Sequence, residues 1–192
     1  MNLLYLSDVF CPWCYGFGPV MRRILADYPG TSVRVLGGDL VDEALTLSEM
    51  KEEHPSIREF FARLETTTGQ SAGAFLKILE DAGSGGPDWR MYSPETGLPL
   101  AVLKTLAPGH ELEQMEAFQH AFYAEGRDVL DISVQLDIAS RWGVEAAVFE
   151  AARADPAVRV RAEKEAAEAS DIMGEFRLYP TLYLEGEGGR EL

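Results

Sequence analysis

The chain has 192 residues, of which 46% are hydrophobic, and 32 Asp and Glu outnumber 17 Lys and Arg for a formal net charge of −15. That balance argues against nucleic acid and anionic membrane surfaces as partners, and no stretch approaches the roughly 20 apolar residues of a membrane span. The length suits one domain, or one domain carrying a large insertion. Met1-Asn2-Leu3 opens directly on a strand pattern, without the basic and apolar regions of a secretory signal, so the cytoplasm is the expected address.

In chain order, Leu3-Leu4-Tyr5-Leu6 reads as a buried strand. Ser7 to Phe10 leads into Cys11-Pro12-Trp13-Cys14, and helix then runs to about Tyr28, where Pro29-Gly30 ends it. Pro19 is expected to kink that helix or restart it at Val20. Ser32-Val33-Arg34-Val35-Leu36 is a second, β-branched strand closed by Gly37-Gly38. Strand, helix and strand make a βαβ unit with parallel pairing.

From there the pattern is helical. Helices are predicted over 47–53, 56–66, 72–81, 94–106, 112–125, 133–142, 144–153 and 157–173, with no strand pattern between them. The glycines at 83–86 form a loop, since no strand precedes them as a phosphate cradle requires. Strand pattern returns over Phe176–Leu184. Pro180 within it belongs at a strand's first residue or edge, as a cis bond or an ordinary trans proline. Residues 185–189 read as a hairpin loop, and Arg190-Glu191-Leu192 begins a returning strand.

The chain's two cysteines sit two residues apart where a strand turns into a helix. Free N–H groups and the helix dipole favour an anion there. Cys-X-X-Cys motifs show thiol pKa values of about 3.5–7.5 in place of about 8.5. Cys11 would lie outermost and attack, and Cys14 would resolve the mixed disulfide. Pro12 suits a first helical turn because it has no N–H to satisfy. Half a zinc site is the competing reading, but zinc takes four ligands. No second pair exists, and His54, His110 and His120 are scattered as surface or capping residues. Inert core cysteines would not be sited at such a turn, so redox chemistry is preferred, and a cytosolic pair points the same way.

Secondary candidates have plainer readings beside them. Asp8 reads first as an N-cap or loop carboxylate and second as a proton relay. Trp13 and Tyr15 either form an apolar platform for substrate or pack inward. Phe118, Phe122 and Tyr123 recur at helical spacing, which points to core before groove. Arg127-Asp128 reads first as a loop ion pair and second as a pair with a role in the cleft.

The order of elements resembles a thioredoxin-like α/β fold with a large α-helical insertion, the architecture of the DsbA family. Asp8-Val9-Phe10-Cys11-Pro12-Trp13-Cys14-Tyr15-Gly16, Ala121 to Asp128, and Tyr179-Pro180-Thr181 resemble its cytoplasmic protein-disulfide isomerase branch. FrnE-like proteins and 2-hydroxychromene-2-carboxylate isomerases are near relatives of that branch. The resemblance implies a thioredoxin-like unit of 1–40 and 151–192 and an inserted helical unit of 41–150. It implies catalysis by Cys11 and Cys14, substrate contact by Pro12, Trp13, Tyr179 and Pro180, and a cis Pro180 facing the thiols. Partners would be disulfide-containing proteins or small thiols, with glutathione as a possible thiol donor and no other cofactor or metal. Trp13 stands where periplasmic DsbA proteins carry a thiolate-stabilising histidine, which favours a reductase or isomerase over an oxidase. Cys11 stands where the isomerase relatives carry serine, which favours thiol exchange. Only 12 residues follow Pro180, fewer than the further strand and last helix that usually close the fold. A DsbA-like adaptor, a redox-sensing binding protein and a glutathione-dependent isomerase are the alternative functions.

Overall fold

A computed structural model describes residues 1–175, 177–186 and 189–191. The chain opens with β1 (Asn2–Ser7), α1 (Pro12–Asp27) and β2 (Ser32–Gly37). Helices and short strands follow: β3 (Leu45–Thr46), α2 (Leu47–Glu53), α3 (Ile57–Thr68), α4 (Gly73–Asp81), β4 (Arg90–Met91), α5 (Ser93–Leu106), α6 (Glu111–Tyr123), α7 (Ile132–Ser140), α8 (Ala146–Ala154) and α9 (Pro156–Met173). The chain returns to strand at β5 (Thr181–Gly186) and β6 (Gly189–Glu191).

The main sheet has the order β2-β1-β5-β6. β1 pairs parallel with β2, Leu3 opposite Val33 and Leu6 opposite Leu36, and antiparallel with β5, Leu4 opposite Tyr183. A central strand with neighbours on both sides is buried on both faces, as the unbroken apolar run of β1 anticipates. Alternation then sorts its side chains. Leu4 and Leu6 join Leu36 and, from α9, Ala169 and Met173, while Leu3 and Tyr5 join the larger cluster that includes Met21, Met115 and Phe118. This is the thioredoxin-like arrangement with added helices, α9 covering one face and α1 and α6 the other.

Several expectations change. Pro19 does not restart the first helix at Val20, since the helix continues through it from Pro12 to Asp27. An interior proline costs about 3 kcal/mol, and packing on both flanks offsets it. A Cβ on Gly16 would lie 2.9 Å from Thr68 of α3, and one on Gly18 would lie 2.9 Å from Glu116 of α6. The helical block is also interrupted, since β3 and β4 form an antiparallel pair. Two residues per strand are too few to show a period of two.

The last strand begins at Thr181, with Arg177–Pro180 irregular before it. Pro180 lacks the N–H a ladder needs, and Arg177 turns out to Asp39 at 3.1 Å and Asp42 at 2.8 Å. Glu185, Gly186 and Gly189 of the expected hairpin loop belong to the strands themselves, Glu185 pairing with Arg190 and Gly186 with Gly189, while Phe176, Glu187, Gly188 and Leu192 lie outside the described residues. Finally, Arg127 and Asp128 do not pair with each other. Arg127 reaches Glu125 and Asp137 at 3.1 and 2.7 Å, and Asp128 accepts from the Leu130 N–H at 3.0 Å.

Candidate active site

The motif lies where β1 hands over to α1. Cys11 is the N-cap, and its Sγ accepts from the Cys14 N–H at 3.2 Å, satisfying one of the helix's free donors. Pro12 takes the first helical position. The Cys11 thiol donates to the Tyr179 carbonyl at 3.6 Å, which joins segments 168 residues apart in sequence. The Tyr179–Pro180 peptide is cis, and the Tyr179 carbonyl lies against the first sulfur two residues before β5 begins.

The two sulfurs have different surroundings. Both thiols are free, with Cys11 at 3% exposure and Cys14 fully enclosed. Burial pushes the Cys14 thiol well above its ordinary value, and the hydrogen bond to Cys11 and that group's charge push the same way. The Asp8 N–H, donating to Cys14 Sγ at 3.5 Å, opposes this only in part. No Lys, Arg or His stands among the groups acting most strongly on Cys14. A charge developing on Cys11 meets a backbone N–H and a helix N-terminus, whereas Cys14 stays a neutral thiol until it is called on to attack.

Asp8 is fully buried and acts as the loop carboxylate of its plainer reading. Its Oδ1 accepts from Phe10 N–H at 2.8 Å and its Oδ2 from Leu40 N–H at 3.1 Å, so it ties the motif loop to the segment after β2. Burial raises its carboxyl above the ordinary range, and those two bonds pull it part of the way back. Gln119 of α6 completes the hold, donating to Ser7 Oγ and to the Asp8 carbonyl, both at 3.0 Å. Tyr123 donates to the Phe10 carbonyl at 2.6 Å.

The aromatic candidates divide. Phe118, Phe122 and Tyr123 are core residues, as their spacing suggests. Tyr15 packs inward as well, stacked on Tyr123 with centroids 5.1 Å apart and donating to the Ser71 carbonyl at 2.9 Å. Trp13 stays half-buried, edge-on to Phe60. Pro12, Phe10 and Phe60 are among the residues that line a cleft of about 880 Å³. The three histidines are exposed at helix ends. His54 and His110 flank α2 and α6, and His120 lies in the last turn of α6 against Glu125.

Gly38 and Asp39 were not singled out from sequence. The Tyr179 hydroxyl donates to Asp39 Oδ1 at 2.8 Å and accepts from Asp39 N–H at 3.2 Å. A Cβ on Gly38 would sit 2.5 Å from the Tyr179 ring. The glycine pair after β2 reads as a strand terminus, and no local pattern shows that one of the two makes room for a ring 141 residues further on. Among the described residues, no group of three or more His, Cys, Asp and Glu is disposed to hold a metal ion, and no helix is long and apolar enough to cross a membrane.

A family model described as a DSBA-like thioredoxin domain matches residues 3–175. No curated protein matches the chain closely enough to count as a relative. Among solved structures, a protein from Nitrosomonas europaea, named provisionally as a protein disulfide isomerase, superposes with a TM-score of 0.79 at 21% identity, covering 99% of this chain and 87% of that one. The cytosolic disulfide reductase DsbM of Pseudomonas aeruginosa, also solved with GSH, gives 0.76 at 22% identity over 100% and 88%. A 2-hydroxychromene-2-carboxylate isomerase gives 0.67 at 16% over 96% and 85%. At these identities the structures speak for the fold, and the family match speaks for descent. With that match over nearly all of its length, the chain belongs to the DSBA-like thioredoxin domain family.

Proposed function

We propose that the protein reduces or isomerises disulfides through Cys11 and Cys14, working in the cytoplasm on disulfide-bonded proteins. The observation that carries this reading is the contrast between the two sulfurs. Cys11 sits at a helix N-terminus against an N–H and the Tyr179 carbonyl, and Cys14 is enclosed and held as a thiol. The Cys11 thiolate attacks one sulfur of a substrate disulfide, forms the mixed disulfide and releases the other sulfur as a thiolate, which takes a proton from water. Cys14 then loses its proton and attacks Cys11 Sγ. The Cys11–Cys14 bond forms as the substrate's second thiolate leaves. The substrate gains two electrons and the protein dithiol loses them. A thiol donor such as glutathione, the ligand with which the fold neighbour DsbM was solved, returns the protein to the dithiol.

Trp13 between the cysteines and the lack of a cation among the strongest influences on Cys14 favour reduction over oxidation. A strong oxidant needs its reduced form stabilised, and burial outweighs the Asp8 N–H and Ser7, the groups that favour a Cys14 thiolate. Residues 41–150, taken as an insertion between the thioredoxin-like segments 1–40 and 151–192, supply most of the cleft beside Pro12. Their role in this proposal is to receive the substrate.

Trapping tests the reading. Cys14→Ala should accumulate covalent complexes with disulfide-bonded proteins on non-reducing gels, and Cys11→Ala should abolish them. Complexes that persist without Cys11 would reverse the assignment.

A further inference from the structure

The cleft beside the motif is larger than thiol exchange alone requires, and its chemistry is uneven. Phe10 and Pro12, the sequence neighbours of Cys11, belong to its wall, so whatever fills it lies beside the motif. The apolar side chains Leu45, Met50, Ile57, Phe60 and Met91 are half-buried or buried and make its floor. The carboxylates Asp42, Glu43, Glu49 and Glu53 are exposed and make its rim, and no Lys or Arg lines it. Asp42 is paired with Arg177, and Glu49 closes the capping box of α2. Glu43 and Glu53 have no ion-pair partner among the described residues. Beside Tyr179, Leu178 stands 70% exposed, a further apolar surface next to the Cys11 contact.

Granting the thiol–disulfide reading above, we propose that this cleft selects disulfides borne on apolar polypeptide segments flanked by lysine or arginine. Small anionic disulfides are disfavoured at the same thiol. The volume is that of a site for a drug-sized ligand or a few side chains, within the roughly 300–1,000 Å³ of typical binding clefts. An apolar floor takes apolar side chains out of water, while rim carboxylates with no ion-pair partner among the described residues, Glu43 and Glu53, attract cations and raise their local concentration. Oxidised glutathione has no apolar side chain and carries net negative charge, so it would meet the rim with like charge, and Arg177, beside Asp42 of the rim, is already held by Asp39 and Asp42. As a thiol donor, reduced glutathione needs only access to the sulfur of the Cys11–Cys14 disulfide and no seat in the cleft.

The test uses the full-length Cys14→Ala protein at pH 7.5 and follows formation of the Cys11 mixed disulfide. Four probes are compared: one apolar disulfide peptide flanked by lysines, the same peptide flanked by glutamates, oxidised glutathione, and uncharged hydroxyethyl disulfide. Each rate constant is divided by that of the same probe with free mercaptoethanol, which removes intrinsic reactivity. The lysine peptide should react about tenfold faster than the glutamate peptide at low salt, the lower end of the range for electrostatic steering. The advantage should shrink at 0.5 M salt and in the Glu43→Gln, Glu53→Gln double variant, with oxidised glutathione slower than the lysine peptide throughout. Equal rates for the two peptides, a ratio untouched by the double substitution, or oxidised glutathione as the fastest probe would each overturn the proposal. Reaction with hydroxyethyl disulfide without any charge preference removes the selectivity and leaves the thiol chemistry standing. No reaction with any probe removes both.

Discussion

Replacing Gly38 by alanine tests how the thiol site is held together. Its backbone lies outside the left-handed region, so alanine meets no conformational penalty and the cost is steric. The added Cβ would lie 2.5 Å from Tyr179 Cε1, 2.6 Å from Cζ and 3.0 Å from the hydroxyl. Carbon atoms in contact prefer about 3.5–4.0 Å, so the ring must retreat by about 1 Å. Such a retreat stretches its 2.8 and 3.2 Å bonds to Asp39 to or past the limit of a hydrogen bond. Overpacking of this kind costs about 1–3 kcal/mol. At roughly 2–4 °C per kcal/mol for a chain of this size, Tm should fall by about 2–12 °C. Because the Tyr179 carbonyl touches Cys11 Sγ, mixed-disulfide formation should slow as well. Calorimetry and the Cys14→Ala trapping rate read the two effects. Gly38→Ala combined with Tyr179→Ala should cost less than the sum of the single changes, since removing the ring removes the clash. An unchanged Tm and rate, or strict additivity, would refute the reasoning.

Two more outcomes follow from the same geometry. Tyr123→Phe keeps the ring among Phe61, Phe75 and Phe122 and deletes only the hydroxyl that satisfies the Phe10 carbonyl. Leaving that buried acceptor without its partner should cost about 1–3 kcal/mol by denaturant unfolding, and a loss under about 0.3 kcal/mol would mean another donor takes over. Burial holds the Cys14 thiol above its ordinary value, so its thiolate fraction rises about tenfold per pH unit below that value. Decay of the mixed disulfide in the wild-type protein should therefore accelerate from pH 6 to 8 in stopped-flow, and a flat profile would show that Cys14 is not the limiting proton donor.

How much of this was legible in the sequence depends on the range of the interactions. The βαβ opening could be read because its signals are local: an apolar run, a capping cysteine followed by proline, a β-branched run and a glycine pair. The helices of the middle segment fall within about two residues of their periodic patterns for the same reason. The unbroken α1 was not legible, because α3 and α6 supply the packing that carries it past Pro19 and lie far away in sequence. The Arg127–Asp128 expectation failed to a local competitor, since Asp128 sits where its carboxylate can accept the Leu130 N–H. At the site, the cysteine pair could be found by type and spacing alone. Tyr179 and Pro180 could be found by resemblance. The Gly38–Leu40 turn that locks them to Asp8 could not, since glycine and aspartate after a strand are ordinary turn residues and their partners lie 32 to 141 positions away.

Whether the Cys11–Cys14 pair works in the reducing direction is decided by its reduction potential. Equilibrating the purified protein with glutathione buffers and counting free thiols gives the value, and about 30 mV corresponds to a tenfold change in the equilibrium constant of a two-electron couple. With Cys14 enclosed and no cation prominent among its influences, the potential should lie nearer thioredoxin's, about −270 mV, than DsbA's, about −120 mV. A value above about −150 mV, with oxidation of reduced substrates outpacing insulin reduction, would contradict the account and make the protein an oxidase.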